Sequence, residues 1–173
     1  MSRYRSQIRE VINRNALVSL ALANGYNAFL PVYDGGIDFI LANETTGDTK
    51  LVQLKGRWMI DRKYLGRDIW IAFHDAGRWY VAPHDEMVRH AEGYGFTQSA
   101  SWTEGGAYSR KTLSKRMVAD FAPYRFEPLA DVAQEAAKTG ASQNLCVNVR
   151  SHDCHPRRWP SLLLRWPRDQ RSH

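Results

Sequence analysis

The chain has 173 residues, of which 43% are hydrophobic, and a formal net charge of +6 at pH 7. This length provides for one ordinary domain with a hydrophobic core and is short for two. The sequence has no stretch near the roughly 20 apolar residues of a membrane span, no apolar segment behind its basic N-terminus as a secretory signal has, and too few cysteines for a disulfide framework. These features predict a cytoplasmic protein and argue against the membrane and secreted classes.

The positive charge is unevenly distributed along the chain. Residues 140–173 carry six arginines and two aspartates, so most of the net charge lies there. This segment has three prolines and no sustained hydrophobic period. We predict that it is a basic C-terminal extension, flexible or packed on a neighbouring subunit, behind a single domain of residues 1–139. Its metal-capable side chains match no common zinc-binding spacing: Cys146, His152, Cys154 and His155.

The first predicted element is a helix over residues 4–24. Its apolar side chains fall on one stripe at helical spacing: Ile8, Val11, Ile12, Val18 and Leu22. Asn24 followed by Gly25 is typical of a helix C-terminus. A strand is predicted next, over residues 27–32, where Pro31 indicates a sheet edge or the end of the strand.

Two further strands are predicted between Asp34 and Arg57. The apolar runs IDFILA and KLVQLK are joined by the polar turn ETTGD, which is too short for a parallel crossover, so the strands should be antiparallel neighbours. Gln53 and Lys55 are two residues apart on the second strand and therefore share one of its faces. Asp38, near the start of the first strand, can lie opposite them.

Asp38, Gln53 and Lys55 together suit hydrolysis of a phosphodiester. Carboxylate and amide oxygens are hard ligands that suit Mg²⁺, which polarises a phosphate and lowers the pKa of a bound water. A neighbouring lysine can orient the attacking water and stabilise the charge of the transition state. The same residue types also occur on ordinary exposed strand faces. Asp34 is a second candidate aspartate, but its place before Gly35 and Gly36 is more typical of a turn.

The pattern GIDF, a turn, then VQLKGR resembles the PD-(D/E)XK nuclease superfamily, in the variant with glutamine in place of the acidic residue before the lysine. The likeness extends from the preceding helix to about Tyr124. It implies a restriction-endonuclease-like α/β (α+β) fold, in which an N-terminal helix precedes a central mixed sheet of about five strands flanked by helices. It also implies that Asp38 and Gln53, with the Leu54 carbonyl, hold Mg²⁺ or Mn²⁺ and that Lys55 is the catalytic lysine.

Nucleases of this class often take one more carboxylate from the first helix. Glu10 is the only acid in the predicted helix, so we include it among the catalytic and metal-binding candidates. Glu10 projects away from the apolar stripe, and the family's spacing would place the acid about one turn later, near Arg14. The alternative is a surface ion pair between Glu10 and Arg14, which are four residues apart.

Residues 58–67 are predicted to form a polar and aromatic connection. The elements after it are then a strand hairpin, a helix, a loop and two more helices: strands at 68–73 and 78–83, a helix at 83–92, a loop at 93–106, and helices at 113–121 and 128–138. The aromatic residues of the loop, beside Arg110 and Arg116, either pack over the core or stack on an unpaired base.

Basic side chains near the motif predict contacts with phosphates, the alternative being a solvated face: Arg14, Arg57, Arg62, Lys63 and Arg67. We therefore expect a Mg²⁺-dependent endodeoxyribonuclease whose partner is DNA. Because cutting both strands of a duplex usually takes two active sites, a homodimer is expected. Two alternatives remain open: a non-cleaving nucleic-acid-binding or assembly module on the same fold, and a nuclease acting on RNA or branched DNA.

Overall fold

The computed structural model of the chain describes residues 3–33 and 35–129. All of them belong to the first of the two units into which the chain divides, residues 1–137. Asp34, the extension at 140–173 and nearly all of the helix expected at 128–138 lie outside the described residues. The domain boundary at residue 139 therefore stays a prediction.

The N-terminal helix, α1, spans Arg3–Ala23, as its periodicity predicts. It ends at Asn24, whose N–H donates to the Ala21 carbonyl at 3.0 Å, and at Gly25, which adopts a positive φ of 76°. The expected apolar stripe is not its buried face. Leu17 and Ala21 are fully buried, whereas four members of the stripe are exposed: Ile8, Val11, Ile12 and Leu22. Ile8, Val11 and Ile12 are exposed because the N-terminal half of α1 does not pack on the sheet. Leu22 lies in the packed half and is nevertheless 58% exposed, since Leu17 and Ala21 form the buried face there.

Seven strands follow α1 in the described residues. Five of them form one sheet: β1 (Asn27–Phe29), β2 (Phe39–Ala42), β3 (Thr49–Leu54), β5 (Ile69–Asp75) and β6 (Arg78–Pro83). The other two, β4 (Trp58–Asp61) and β7 (Ala107–Arg110), form a separate antiparallel pair. The helices after α1 are α2 (His84–Gly93), α3 (Ala100–Thr103) and α4 (Lys115–Asp120). Short 3₁₀ turns cover Arg62–Tyr64, Phe96–Gln98 and Ala122–Tyr124.

The five-stranded sheet has the order β1-β2-β3-β5-β6. Its β3–β5 pair is parallel and its other neighbours are antiparallel. This confirms the predicted class: a mixed α+β fold with an N-terminal helix and a mixed sheet of five strands flanked by helices. The strand β1 lies at the edge, as Pro31 indicates, but ends already at Phe29.

Two hydrophobic clusters cover the two faces of the sheet, and β5 contributes alternate residues to each. Ile71 and Phe73 enter a cluster with Trp58 and Met87, whereas Ala72 enters a cluster with Leu17 and other residues of α1 and β2. This alternation is what a strand with a period of two must do when both of its faces are buried. The site residues of β3 lie at the end of a strand that is fixed on both sides.

Two predictions for the second half of the chain are wrong. Residues 58–67 are not a plain connection, because Trp58 and Ile60 are buried members of β4 and pair with β7. Residues 93–106 are not a plain loop, since they include α3 and a 3₁₀ turn, and Trp102 is buried there. The aromatic residues of this region thus pack over the core. Among the described helices, none combines the length and the apolar character that crossing a membrane requires.

Candidate active site

The β2–β3 pair brings Asp38 against the end of β3. The Asp38 N–H donates to the Val52 carbonyl at 2.8 Å, which extends the ladder that pairs Phe39 with Val52. The Asp38 side chain also bonds to β3, since its Oδ2 accepts the Leu54 N–H at 2.7 Å. Backbone pairing on one side and a side-chain hydrogen bond on the other therefore fix this carboxylate at the point where β3 ends.

A pocket of about 380 Å³ opens beside this carboxylate. It gathers the predicted catalytic and metal-binding residues from α1, from the start of β2 and from the end of β3. Its lining consists of Arg9, Glu10, Asn13, Arg14, Asp38, Gln53, Leu54, Lys55 and Gly56. Arg14, predicted to contact phosphates, lies in the same wall. The structure thus brings together predicted site residues as far apart in the sequence as Glu10 and Lys55.

The side-chain amide of Gln53 is held at both of its ends. Gln53 is only 7% exposed. Its Nε2 donates to Asp38 Oδ2 and lies 3.5 Å from the Leu54 carbonyl oxygen, while its Oε1 accepts from the Tyr64 hydroxyl at 3.0 Å. The amide NH₂ therefore occupies the position on which the Asp38 and Leu54 oxygens converge.

Tyr64 is a site residue that sequence reasoning does not single out. It ends the 3₁₀ turn Arg62–Tyr64, which Asp61 begins by accepting the Lys63 N–H, and it is only 2% exposed. Its ring packs edge-on against His84 at 5.6 Å between centroids. The Asp61 acid just before this turn is a capping signal that could have indicated an ordered turn here.

Lys55 lies on the same side of the site as Tyr64. Its backbone N–H donates to the Ala72 carbonyl at 2.8 Å, which continues the parallel pairing of β3 with β5 one residue past Leu54. Its Nζ lies 5.5 Å from the centroid of the Tyr64 ring, a cation–π contact. Asp61 forms its ion pair with Lys63, at 3.4 Å, and not with Lys55. The Lys55 ammonium group therefore stays at the pocket.

Gly36 closes the site from the loop before β2. Its φ is +89°, and a Cβ there would lie 3.3 Å from Tyr64 Cε1 and 3.9 Å from Gln53 Oε1. Arg67 holds this loop, since its Nη2 donates to the Gly35 carbonyl at 2.9 Å. A side chain at position 36 would meet both a strained backbone and the Tyr64 ring.

Glu10 and Arg14 form the ion pair that was the alternative to a catalytic Glu10, with 3.7 Å between Nη2 and Oε1. Both also line the pocket, and the Glu10 side chain is 65% exposed. Exposed ion pairs at this spacing contribute little to stability. The ion pair therefore constrains Glu10 only weakly.

The other predicted phosphate-binding residues have mixed surroundings. Arg57 is exposed, whereas Arg62 donates to the Thr103 carbonyl at 2.5 Å and lies 5.8 Å from the Trp102 ring centroid. Lys63 pairs with Asp61, and Arg67 is engaged with the Gly35 loop. Two of the five residues, Arg14 and Arg57, thus lie at or next to the pocket, while the other three make contacts within the fold.

His84 supports the site from behind. Its Nε2 accepts the Asp61 N–H at 3.1 Å. Burial lowers the pKa of His84 below its ordinary value, so the ring is neutral near pH 7. A neutral ring is needed here, because a protonated Nε2 could not accept the Asp61 N–H.

The oxygens around the pocket fit a hard cation. They comprise the carboxylates of Asp38 and Glu10, the Leu54 carbonyl and the amide of Gln53. In the described ranges, no three or more His, Cys, Asp and Glu residues group in a way that could hold a metal ion. A cation at Asp38 would therefore need amide, backbone and water oxygens besides carboxylates, which suits Mg²⁺ because it keeps several waters.

Similarity to known proteins is found among solved structures. No protein-family model matches the chain, and no curated protein matches it in sequence. Among solved structures, it is similar to the bacterial homing endonuclease I-Ssp6803I, with 18% sequence identity over 81% of this chain and 98% of that one and a TM-score of 0.44.

Proposed function

We propose that this protein is a metal-dependent endonuclease that hydrolyses DNA phosphodiester bonds, and that it is a PD-(D/E)XK nuclease of the glutamine variant. The observation that carries the proposal is that Asp38, Gln53 and Leu54 line one pocket together with Lys55. This is the donor set and the neighbouring ammonium group that phosphodiester hydrolysis requires.

Each residue has a distinct role in this proposal. Asp38, Gln53 and the Leu54 carbonyl, together with Glu10, would hold Mg²⁺ or Mn²⁺. When bound, such a cation neutralises charge at the phosphate and lowers the pKa of its water. Lys55 orients the attacking water and stabilises the charge that develops on the phosphoryl oxygens. The cation–π contact with Tyr64 directs the lysine without neutralising it.

DNA would reach the site across the wall that α1 contributes. Arg9 and Arg14 lie in this wall, and the exposed Arg57 follows the pocket residue Gly56 directly. Their charges would contact phosphates on either side of the bond to be cut, so binding should weaken steeply as salt rises. Cleavage of both strands would use two copies of the chain, as a homodimer.

Plasmid cleavage tests the proposal. Supercoiled DNA is incubated with the protein in Mg²⁺, Mn²⁺ or EDTA, and Lys55→Ala is compared with Arg78→Ala, which removes an exposed charge at the β5–β6 hairpin. We expect metal-dependent cutting that falls by roughly 100-fold or more in Lys55→Ala and is unchanged in Arg78→Ala. Equal cutting by wild type and Lys55→Ala would contradict the assignment.

One observation favours the second candidate function, a non-cleaving nucleic-acid-binding module. The Gln53 NH₂ already satisfies the Asp38 and Leu54 oxygens, so the site is hydrogen-bonded without a cation. Such a module would take up no Mg²⁺ at Asp38 and would bind nucleic acid equally well in EDTA. Comparing duplex DNA, branched DNA and RNA in the same titration separates the possible substrates.

A further inference from the structure

We propose that Tyr64 is a positioning residue whose hydroxyl allows the Gln53 amide to present either of its ends to Asp38. This inference rests on the proposed metal-dependent function. It concerns the hydroxyl of a residue that would touch neither the cation nor the DNA and that would act on the cation through Gln53.

The orientation without a cation follows from charge. An amide beside a carboxylate must present its NH₂, because its oxygen would face a negative group. The Gln53 Nε2 accordingly donates to Asp38 Oδ2, and its Oε1 takes the Tyr64 hydroxyl proton. In this state the amide directs its NH₂, and not its oxygen, toward the Asp38 carboxylate.

Cation binding reverses the requirement. The amide must now direct its oxygen toward the cation, and a half-turn about the last side-chain bond exchanges the two ends without moving the backbone. The NH₂ group then faces Tyr64. A hydroxyl serves as a donor in the first orientation and as an acceptor in the second, so the Gln53 amide has a partner in both.

The surroundings of Tyr64 fit this role. The ring lies close to Gly36 and packs edge-on against His84. The Nζ atoms of Lys55 and Lys63 lie 5.5 and 4.9 Å from its centroid. Only the hydroxyl hydrogen needs to rotate when the amide turns. The Tyr64 oxygen can therefore stay in place and hydrogen-bond the Gln53 amide in both of its orientations.

Tyr64→Phe keeps the ring and removes this partner. In the cation-bound orientation the variant leaves a buried N–H without an acceptor, which costs more than leaving an amide oxygen short of one donor. We expect the affinity for Mg²⁺ to fall about 10-fold, the lower end of the range for groups that orient a metal ligand.

A double-variant titration separates orientation from packing. Mg²⁺ binding to the DNA-free protein is measured by calorimetry for wild type, Tyr64→Phe, Gln53→Glu and the double variant. A glutamate has two equivalent oxygens and needs no turning, so Tyr64→Phe should change Mg²⁺ affinity by less than about twofold in the Gln53→Glu background. Tyr80→Phe, at another tyrosine buried in the same core cluster, is the matched control and should bind Mg²⁺ like wild type.

A measurement on the wild type needs no variant. The side-chain ¹⁵N–¹H₂ resonances of Gln53 are followed by NMR as Mg²⁺ is added. We expect cross-relaxation between the Gln53 amide protons and the Tyr64 ring to grow on saturation, because the NH₂ turns toward the hydroxyl. An amide that stays with its NH₂ toward Asp38 in saturating Mg²⁺ would overturn the inference.

The remaining outcomes are also decisive. Equal losses of Mg²⁺ affinity from Tyr64→Phe in the wild-type and Gln53→Glu backgrounds would mean a packing role and overturn the inference, as would wild-type affinity in Tyr64→Phe. In both cases metal-dependent cutting by the wild type would leave the proposed function intact. A wild type that binds no Mg²⁺ and cuts no DNA would overturn the function itself, and the inference with it.

Discussion

The two ends of the β2–β3 pair carry two clusters built from similar parts. At one end, the Asp48 cluster joins the Asp48 carboxylate to the Tyr26 hydroxyl at 2.5 Å and to the Lys50 ammonium group. At the other end, the Asp38 cluster joins the Asp38 carboxylate to the Gln53 amide, and the amide to the Tyr64 hydroxyl. Each has one carboxylate, one tyrosine and one side-chain nitrogen donor.

The difference lies in the charge of the nitrogen donor. Lys50 is charged, lies 4.4 Å from the Trp70 ring centroid and contacts Asp48 Oδ2, so this carboxylate is neutralised within the fold. Asp38 Oδ2 accepts instead from a neutral amide and a neutral backbone N–H. A carboxylate oxygen paired with a lysine has little negative charge to offer a cation from solution, so we do not expect the Asp48 cluster to bind one.

The largest expected effect distinguishes the two aspartates by activity. Asp38→Asn should lower metal-dependent DNA cleavage by about 100-fold or more, because the carboxylate is needed to hold the cation. Asp48→Asn should cut at nearly the wild-type rate. Both rates are measured on supercoiled plasmid at saturating Mg²⁺. A similar loss of cleavage in both variants would break the comparison, since it would mean that each change acts through the fold.

A second effect distinguishes the glycines near the two clusters. Gly36→Ala should destabilise the protein by about 1–3 kcal/mol, because φ is +89° and the new Cβ would press on Tyr64 at 3.3 Å. Gly47→Ala, in the turn next to Asp48, meets a comparable φ of +72° but no atom within 4 Å. It should show the backbone strain alone.

Thermal or urea unfolding measures the free energy of unfolding of Gly36→Ala and of Gly47→Ala. Titration with Mg²⁺ measures the affinity of each variant for the cation. Gly36→Ala should also weaken Mg²⁺ binding, since it displaces Tyr64, whereas Gly47→Ala should bind Mg²⁺ like wild type. Matching losses of Mg²⁺ affinity in the two variants would show that contact with Tyr64 is unimportant.

The smallest effect concerns pH. The hydrogen bonds from Lys50 and Tyr26 lower the pKa of Asp48 below its ordinary value of 3.8. Because the pKa of Asp48 is lowered in the folded state, the ionised carboxylate stabilises the fold above about pH 4. This stabilisation is lost as the pH falls through the pKa of Asp48 in the folded state. The Asp48 side chain is partly exposed, so we expect the contribution to stay below about 1 kcal/mol.

Unfolding of wild type and Asp48→Asn across the range from neutral to strongly acidic pH tests this. The wild type should be the more stable at neutral pH, and the two free energies should approach each other as the medium becomes acidic. If the difference between the two free energies of unfolding stays constant down to the most acidic pH, the charge of Asp48 does not contribute to stability.

The strand pair with the site is the part of the fold that the sequence predicts best. Its strands, its turn and its antiparallel pairing follow from local alternation and turn residues, and the partners Phe39 and Val52 lie only 13 positions apart. This strand pair also brings Asp38, Gln53 and Lys55 to one pocket.

Tyr64 and the second sheet depend on contacts that a local pattern does not contain. The strand β4 has four residues, and its partner β7 lies about 50 positions later, where Trp58 pairs with Arg110. Four residues are too few for a period of two to stand out. The position of Tyr64 also depends on His84, which no local signal links to it.

The misassigned face of α1 has a different origin. Periodicity measures which side of a helix is apolar, whereas burial depends on how much of the helix has a partner. Leu17 and Ala21 meet the sheet, but Ile8 and Ile12 lie beyond the part of α1 that packs on it. The pattern predicted the helix and could not reveal where along it the packing begins.

This half-packed helix gives the pocket two walls of unequal local stability. The wall at Gln53 belongs to β3, which lies between β2 and β5 in the sheet, so its amides should exchange with solvent only on near-global unfolding. The wall at Arg9 and Glu10 belongs to the exposed half of α1, and an unpacked helical segment this short is marginal in water. Opening of that wall should therefore require much less free energy than unfolding of the domain.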